Sequence, residues 1–183
     1  MQVLLYLDVD GVLNAPGQAK AWGDALQTGT VSVNPDWRNP YSQPIDVDVS
    51  WSPRAITAVR DLISSPGVIP VFLSSWGIFA TTTFAPLVGL PGNVRYATPP
   101  QPSDYDYAPG GMWKTSWILG SIHVGAGPLA IVDDHLTGGE AAELHRRAKE
   151  SDVPLRIVAP DSSVGITPAN LRGLRAWVRR HAA

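Results

Sequence analysis

Short apolar runs alternate with segments of helical periodicity along this chain. The helical spacing of apolar residues predicts helices over about 53–64, 77–87 and 138–150, another that opens at Lys114, and a last one from Pro168. The apolar runs predict strands buried on both faces at 3–7, 68–73, 129–132 and 155–158, with a short strand at 94–97. Strands that alternate with helices predict an α/β fold, a Rossmann-like parallel sheet with helices on both faces.

Capping residues, prolines and turn residues help to define several of these elements. Ser52 and Thr167 each precede a proline, the pairing typical of an N-cap and a first helical residue. Pro70 argues against a fully central position for the strand at 68–73, because proline lacks the N–H that a ladder needs. The segment 99–111 is rich in turn residues and predicts a loop.

The segment from about 15 to 50 breaks the regular alternation. It is rich in Gly, Pro, Asn and Gln, and two stretches within it, Thr30–Val33 and Ile45–Val49, alternate apolar with polar residues. Such alternation predicts a small β-hairpin, or flap, too short to be a domain of its own. We therefore expect a single domain over 1–183 with a minimal cap or flap insertion at about 15–50. Asp46 and Asp48 are interpreted as a polar strand face, with substrate contact as the alternative.

Composition excludes several classes of protein. The chain of 183 residues has no cysteine, which excludes disulfides and thiolate chemistry, and its net charge of −2 is not that of a protein that coats nucleic acid through phosphates. No apolar run approaches the roughly 20 residues of a membrane span, so we expect no membrane partner. The first predicted strand begins a few residues after Met1 and leaves no room for a removable leader; we expect a cytoplasmic protein.

Polar residues follow three of the predicted strands where each strand ends. The carboxyl ends of parallel strands open on one edge of a sheet, where ligands usually bind, so these side chains are expected to converge on one pocket. The residues at these ends, with one intervening lysine, are Asp8, Asp10, Ser74, Lys114, Asp133 and Asp134.

The Asp-x-Asp-Gly at 8–11 also has two simpler interpretations. A calcium loop of the EF-hand type needs further oxygen ligands at offsets where this chain has Val12, Pro16 and Ala19, so that interpretation fails. An ordinary turn at a strand end remains the simple alternative. Neither a Gly-x-Gly-x-x-Gly turn nor a P-loop is present, which removes the main support for dinucleotide or nucleoside-triphosphate binding.

The order of these residues resembles the haloacid dehalogenase (HAD) superfamily of phosphohydrolases over nearly the whole chain. The four motifs of that superfamily are a strand ending Asp-x-Asp, a strand ending Ser or Thr, a later Lys, and a strand ending in acidic residues. A narrower similarity is to the small HAD domains of Swiss-army-knife RNA-repair proteins, whose members more often carry Thr-Thr-Trp at the place of Ser74-Ser75-Trp76. The segments that carry it are Asp-Val-Asp-Gly-Val-Leu-Asn (8–14), Ser-Ser-Trp (74–76), Ala-Pro-Leu-Val-Gly-Leu-Pro (85–91), Trp-Lys (113–114), Ile-Val-Asp-Asp (131–134) and Val-Gly-Ile-Thr (164–167).

The resemblance implies a Mg²⁺-dependent phosphomonoester hydrolase that works through an aspartyl-phosphate. It implies that Asp8 is the nucleophile, that Asp10 is the general acid and base, and that Ser74 and Lys114 bind the phosphate. Asp8, Asp133 and the backbone carbonyl of Asp10 would hold the magnesium ion. A general acid at Asp10 favours phosphate-ester hydrolysis over halide displacement, since an alkoxide leaving group needs a proton and a halide does not.

The roles of two neighbouring residues stay open at this point. Asp134 is a candidate second metal ligand, a partner of the metal ligands, or the cap of the next helix. His135 is interpreted as a surface or loop histidine, with tuning of the site as the alternative.

The short insertion implies an open pocket, which in this superfamily accompanies large substrates. The expected partner is a phosphorylated substrate, with a 5′ or 3′ phosphate end of RNA or DNA as the leading hypothesis. The alternatives are a phosphatase for nucleotides or sugar phosphates, a non-catalytic module that binds phosphate ends, and phosphoryl transfer to an acceptor other than water. Five tryptophans near the rim are candidates to stack on a terminal base, although core packing is favoured for most: Trp22, Trp37, Trp51, Trp76 and Trp113.

Overall fold

A five-stranded parallel sheet forms the centre of the fold in the computed structural model, which describes residues 1–34, 41, 43–97, 112–125 and 127–182. Trp37 and the predicted loop at 99–111 lie outside these residues. The strands, in chain order and including two in a separate sheet, are β1 Val3–Leu7, β2 Gln27–Val33, β3 Ile45–Trp51, β4 Val68–Phe72, β5 Arg95–Tyr96, β6 Leu129–Val132 and β7 Leu155–Val158. The order in the large sheet is β5-β4-β1-β6-β7, with every neighbouring pair parallel.

Helices cover both faces of this sheet, which confirms the predicted fold class. The helices are α1 Gln18–Trp22, α2 Pro53–Ile63, α3 Ala85–Val88, α4 Met112–His123, α5 Gly138–Glu150 and α6 Pro168–His181. Alternate residues of β1 point to opposite faces: Leu5 and Leu7 join the core under α2 and α6, whereas Tyr6 joins the core under α4 and α5. Because β1 is buried on both faces, its sequence is a continuous apolar run.

The predicted caps start their helices as expected. The Ser52 hydroxyl accepts a hydrogen bond from the Ala55 N–H at 3.0 Å, and Pro53 occupies the first turn of α2. Thr167 and Asn170 form a reciprocal capping box at the start of α6. Pro70 is compatible with an inner strand because β4 pairs with β5 only from Val71 onward.

The helical segment predicted over 77–87 has a less regular form. Residues Ala80–Phe84 are π-helical, with the Ala85 N–H bonded to the carbonyl of Ala80 five residues earlier, and they lead directly into α3. Pro86 follows at once; it has no N–H to offer the preceding turn, which favours an altered bonding pattern there. The helix that was expected to open at Lys114 begins at Met112.

The insertion after β1 contains the predicted hairpin. Strands β2 and β3 pair antiparallel and form a separate two-stranded sheet, called the flap below. The inner face of the flap, with Val31 and Val49, joins the core, and the outer face carries exposed Asp46 and Asp48, as the polar-face interpretation predicts. Helix α1, which precedes the flap, was not predicted.

The arginines of α6 are partly engaged in packing. Arg175 donates to the Ala58 carbonyl at 2.7 Å and lies 3.8 Å from the Asp61 carboxylate, so it links α6 to α2. Arg172, Arg179 and Arg180 are exposed. None of the helices within the described ranges is long and apolar enough to cross a membrane.

Candidate active site

The register of the sheet brings the predicted strand-end residues to one edge. The backbone ladder continues one residue past the strands: the Asp8 N–H donates to the Val132 carbonyl at 3.0 Å, and the Asp133 N–H donates to the Val158 carbonyl at 3.1 Å. On the other side of β1, the Leu73 N–H donates to the Leu7 carbonyl at 2.9 Å, which places Ser74 beside Asp8. Asp8, Ser74 and Asp133 are all buried.

Lys114 connects the two buried carboxylates. Its ammonium group donates to Asp8 Oδ2 and, at 2.7 Å, to Asp133 Oδ2. The lysine reaches the sheet edge from the first turns of α4, whose Ile118 and Ile122 anchor the helix in the core. A fixed positive charge therefore lies between two acids that would otherwise repel each other.

The surroundings raise the pKa values of two of these residues, Asp8 and Lys114. Burial raises the pKa of Asp8 to about 6, and the charge of Asp133 adds to the rise, while Lys114 and a hydrogen bond from Ser74 oppose it. Burial opposes the positive charge of Lys114, but the attraction of Asp8 and Asp133 outweighs it and raises the lysine pKa above its ordinary value. Lys114 is thus a permanent cation at neutral pH.

The turn after β1 fits closely against Asp134. Asp8 Oδ1 accepts the Val9 N–H at 2.7 Å, which fixes that carboxylate against the turn. Gly11 has φ +67°, and a Cβ placed there would lie 2.5 Å from Asp134 Cγ. The turn therefore requires glycine both for its left-handed backbone and for the close approach of an acidic side chain.

Asp134 and His135 complete a cluster of possible metal ligands. Ligand atoms of Asp8, Asp133, Asp134 and His135 all lie within 4.8 Å of one another. The Asp134 side chain is 4% exposed, and its buried Oδ1 has no hydrogen-bond partner among the described residues. Its Oδ2 lies 3.1 Å from Nδ1 of His135, whose side chain is 80% exposed, in line with the predicted loop histidine. Thr137, not Asp134, is the N-cap of α5, so the helix-cap role is wrong.

This donor set fits a divalent cation that prefers oxygen. Three carboxylates against a single lysine leave excess negative charge, and an unpartnered buried carboxylate oxygen is costly unless something binds it. Carboxylate oxygens suit Mg²⁺. The Asp10 carboxylate is not part of the cluster that the described residues form, consistent with a contribution from its backbone alone.

Asp10 has a different environment from Asp8. It is exposed, and each carboxylate oxygen accepts one hydrogen bond: Oδ1 from Asn14 Nδ2 at 2.7 Å and Oδ2 from Trp76 Nε1 at 2.8 Å. The sequence pattern predicts no role for Asn14 and, for Trp76, only stacking on a base. The signal available was weak: Asn14 lies four residues after Asp10 in the same turn, and Trp76 two residues after Ser74.

The remaining candidate stacking residues are largely engaged elsewhere. Trp51 ends β3 on the inner face of the flap and is buried in the core, which confirms the favoured core packing and excludes the stacking alternative for it. Trp22 is partly buried and donates to the Ile166 carbonyl at 2.7 Å. Trp113, in the first turn of α4, is partly buried and packs against the core on that side of the sheet.

Comparison with known families places this geometry in context. The family model of the HAD domain in Swiss Army Knife RNA repair proteins matches residues 4–171. The chain belongs to this family. As a HAD domain, it carries an acidic cluster of Asp8, Asp133 and Asp134 that is consistent with a HAD active site, and family membership suggests a hydrolase of the phosphatase type. No curated protein and no solved structure gave a significant match.

Proposed function

We propose that this HAD domain is a Mg²⁺-dependent phosphomonoester hydrolase that works through an aspartyl-phosphate on Asp8 and acts on phosphorylated nucleic-acid ends. The observation that carries the proposal is the buried arrangement of Asp8, Lys114 and Asp133, with a second, exposed carboxylate at Asp10 two residues from the first. One acid is suited to attack phosphorus and the other to exchange protons with solvent-accessible groups.

The environment of Asp8 is suited to nucleophilic attack. One of its oxygens is held by the Val9 N–H, and the other lies against Lys114. In the first step an Asp8 oxygen bonds to phosphorus, the ester P–O bond breaks, and the proton of Asp10 passes to the departing alcohol oxygen. Lys114 and Ser74 offset the charge on the transferred oxygens.

The second step returns the site to its starting state. Asp10, now ionised, takes a proton from a water molecule that attacks phosphorus, and the bond between phosphorus and Asp8 breaks to release inorganic phosphate. Asp8 is again a carboxylate, and Asp10 again carries a proton. The exposure of Asp10 suits both transfers, because alcohol and water must reach it from outside.

Asp8, Asp133 and the backbone carbonyl of Asp10 would hold the magnesium ion, with Asp134 as a further carboxylate of the cluster. When bound, Mg²⁺ supplies positive charge that offsets the repulsion between a carboxylate nucleophile and an anionic phosphate.

A nucleic-acid end as substrate is supported by the family, whose description names RNA repair, and by the exposure of Asp10. One observation favours the second candidate, a small-molecule phosphatase: the outer face of the flap carries the exposed acids Asp46 and Asp48, which would repel a polyanion that lay across them.

The decisive test is phosphate release from an aryl phosphate with and without Mg²⁺, comparing wild type with Asp8→Asn. Asp61→Asn, which removes an exposed acid on α2, is the matched control. We expect activity that needs the metal, is lost in Asp8→Asn and persists in Asp61→Asn. Metal-dependent turnover that survives Asp8→Asn would overturn the nucleophile assignment.

A substrate panel separates the two candidates. Oligonucleotides with 5′ or 3′ phosphates are compared with the matching mononucleotides and with sugar phosphates. Higher kcat/KM on oligonucleotide ends supports the repair substrate, whereas a preference for mononucleotides or sugar phosphates supports the second candidate. No hydrolysis of any member by folded protein would favour a module that only binds phosphate ends.

A further inference from the structure

The Asp10 carboxylate is held from two opposite sides of the site. Asn14, in the turn after β1, donates to one oxygen at 2.7 Å, and Trp76, which follows β4, donates to the other at 2.8 Å. An exposed aspartate without partners samples several rotamers, so two directed hydrogen bonds on one exposed side chain restrict it strongly.

Trp76 is itself fixed by aromatic packing. Its ring lies 5.6 Å from the ring of Phe84, centroid to centroid, with the planes tilted by 58°. Phe84 is fully buried and ends the π-helical segment. The indole N–H direction is therefore set by the core, and rotation away from Asp10 would disrupt this aromatic contact.

Asn14 is oriented by the flap. Its Oδ1 accepts the Ser50 N–H of β3 at 2.9 Å, and the neighbouring Ala15 N–H donates to the Ser50 carbonyl at 3.0 Å. Because a backbone N–H can only donate, the amide oxygen must face Ser50, and the amide nitrogen must face Asp10. The flap thus determines which way the Asn14 amide points.

We infer that Asn14 and Trp76 are positioning residues that aim Asp10 at the leaving-group oxygen. Both present N–H groups that donate and cannot accept, so neither competes for the proton that Asp10 delivers. Either carboxyl oxygen can carry that proton while it accepts the neighbouring N–H. This inference rests on the proposed function, since it assigns the two residues to the proton transfer of that reaction.

Dependence on the leaving group provides the test. An alkoxide needs protonation as it departs, whereas a nitrophenolate leaves without it. A misplaced Asp10 carboxyl should therefore lower kcat/KM on alkyl phosphates more than on aryl phosphates. kcat/KM is measured with Mg²⁺ on an alkyl phosphate and on p-nitrophenyl phosphate; this ratio reports formation of the phosphoenzyme and excludes its later hydrolysis. The variants are Trp76→Phe, which keeps the ring against Phe84, and Asn14→Ala.

The matched control is Trp22→Phe, which also removes an indole hydrogen bond, but one made to the Ile166 carbonyl. We expect Trp76→Phe and Asn14→Ala to lower kcat/KM on the alkyl phosphate by about 10- to 100-fold, a part of the typical contribution of a general acid, with little change on the aryl phosphate. Trp22→Phe should leave the ratio between the two substrates unchanged. Thermal unfolding checks that each variant is folded.

A double-mutant cycle separates positioning from structural damage. In an Asp10→Asn background, Trp76→Phe should add less than about a twofold loss on the alkyl phosphate, because the group that it positions is no longer an acid. Equal losses on both substrates, or full additivity with Asp10→Asn, would overturn the inference and leave the proposed function standing. Absence of metal-dependent turnover in the wild type would overturn the proposed function, and this inference with it.

Discussion

Asp8 and Asp10 are the same residue type two positions apart, yet their surroundings assign them different chemistry. Asp8 is buried beside the Lys114 cation and a second carboxylate, whereas Asp10 is exposed and accepts two neutral N–H donors. Enzymes that use two carboxylates commonly separate their roles by environment in this way.

Gly11 follows Asp10 in the turn after β1, and Gly11→Ala should disrupt this turn. A non-glycine residue at φ +67° costs about 1–2 kcal/mol, and the added Cβ would force the Asp134 carboxylate to move. We expect a lower free energy of unfolding by urea and loss of Mg²⁺-dependent activity.

The control for this prediction is Gly120→Ala. Gly120 lies exposed within α4, and a Cβ there meets nothing within 4 Å, so alanine should stabilise the helix by up to about 1 kcal/mol. A Gly11→Ala protein as stable and as active as wild type would show that Asp134 is free to shift.

At the scale of elements, the strands, the main helices and the flap were predictable from the sequence, whereas the contacts between the connecting segments were not. An apolar run such as Val3–Leu7 carries its strand signal locally, and the polar residue after it marks the edge where parallel strands open. The contact between Asp10 and Trp76 has no such signal, because it depends on how the π-helical segment packs Phe84 in three dimensions. Helix α1 was missed because it has only five residues, too few to show a period.

Gln18 in α1 illustrates what a hydrophobic pattern overlooks. It is fully buried although polar: its Nε2 donates to the Val12 carbonyl at 2.8 Å, and its Oε1 accepts the Ser52 N–H at 2.9 Å. A single side chain therefore joins the turn after β1 to the start of α2.

We expect Gln18→Met to destabilise the protein by about 1–3 kcal/mol, because methionine fills the space but leaves the buried Ser52 N–H without its acceptor. The Val12 carbonyl keeps a partner in the Ile166 N–H, so the loss arises mainly at Ser52. Urea unfolding measures the effect, and Gln27→Met at an exposed position of β2 is the control. Equal stability of the two variants would contradict a structural role for the buried amide.

At the scale of the whole molecule, the site exists only when the full sheet is assembled. Its residues come from the ends of β1, β4 and β6 and from α4, and β1 lies where the strand order turns from one side of the sheet to the other. Ligands of open α/β sheets bind at such a point. The site also depends on the flap, because the Ser50 N–H of β3 orients the Asn14 side chain.

This assembly links global stability to the protonation of Asp8. The folded-state pKa of Asp8 is about 6, above its ordinary value of 3.8, so the metal-free folded protein holds a proton that the unfolded chain releases. The associated stability is fully present below pH 3.8 and is lost as pH rises through about 6. The difference between the two pKa values corresponds to about 3 kcal/mol.

Urea unfolding of wild type and Asp8→Asn in the absence of metal, from pH 4 to pH 7, tests this linkage. Since asparagine does not titrate, wild type should lose up to about 3 kcal/mol relative to the variant across that range. If Mg²⁺ binds the ionised carboxylates as proposed, its stabilisation of the wild type should grow over the same pH range and be reduced in Asp8→Asn, with NaCl at equal ionic strength as the control. A pH-independent difference between the two proteins would mean that Lys114 keeps Asp8 ionised throughout, and that the proposed nucleophile is in its reactive form before any metal binds.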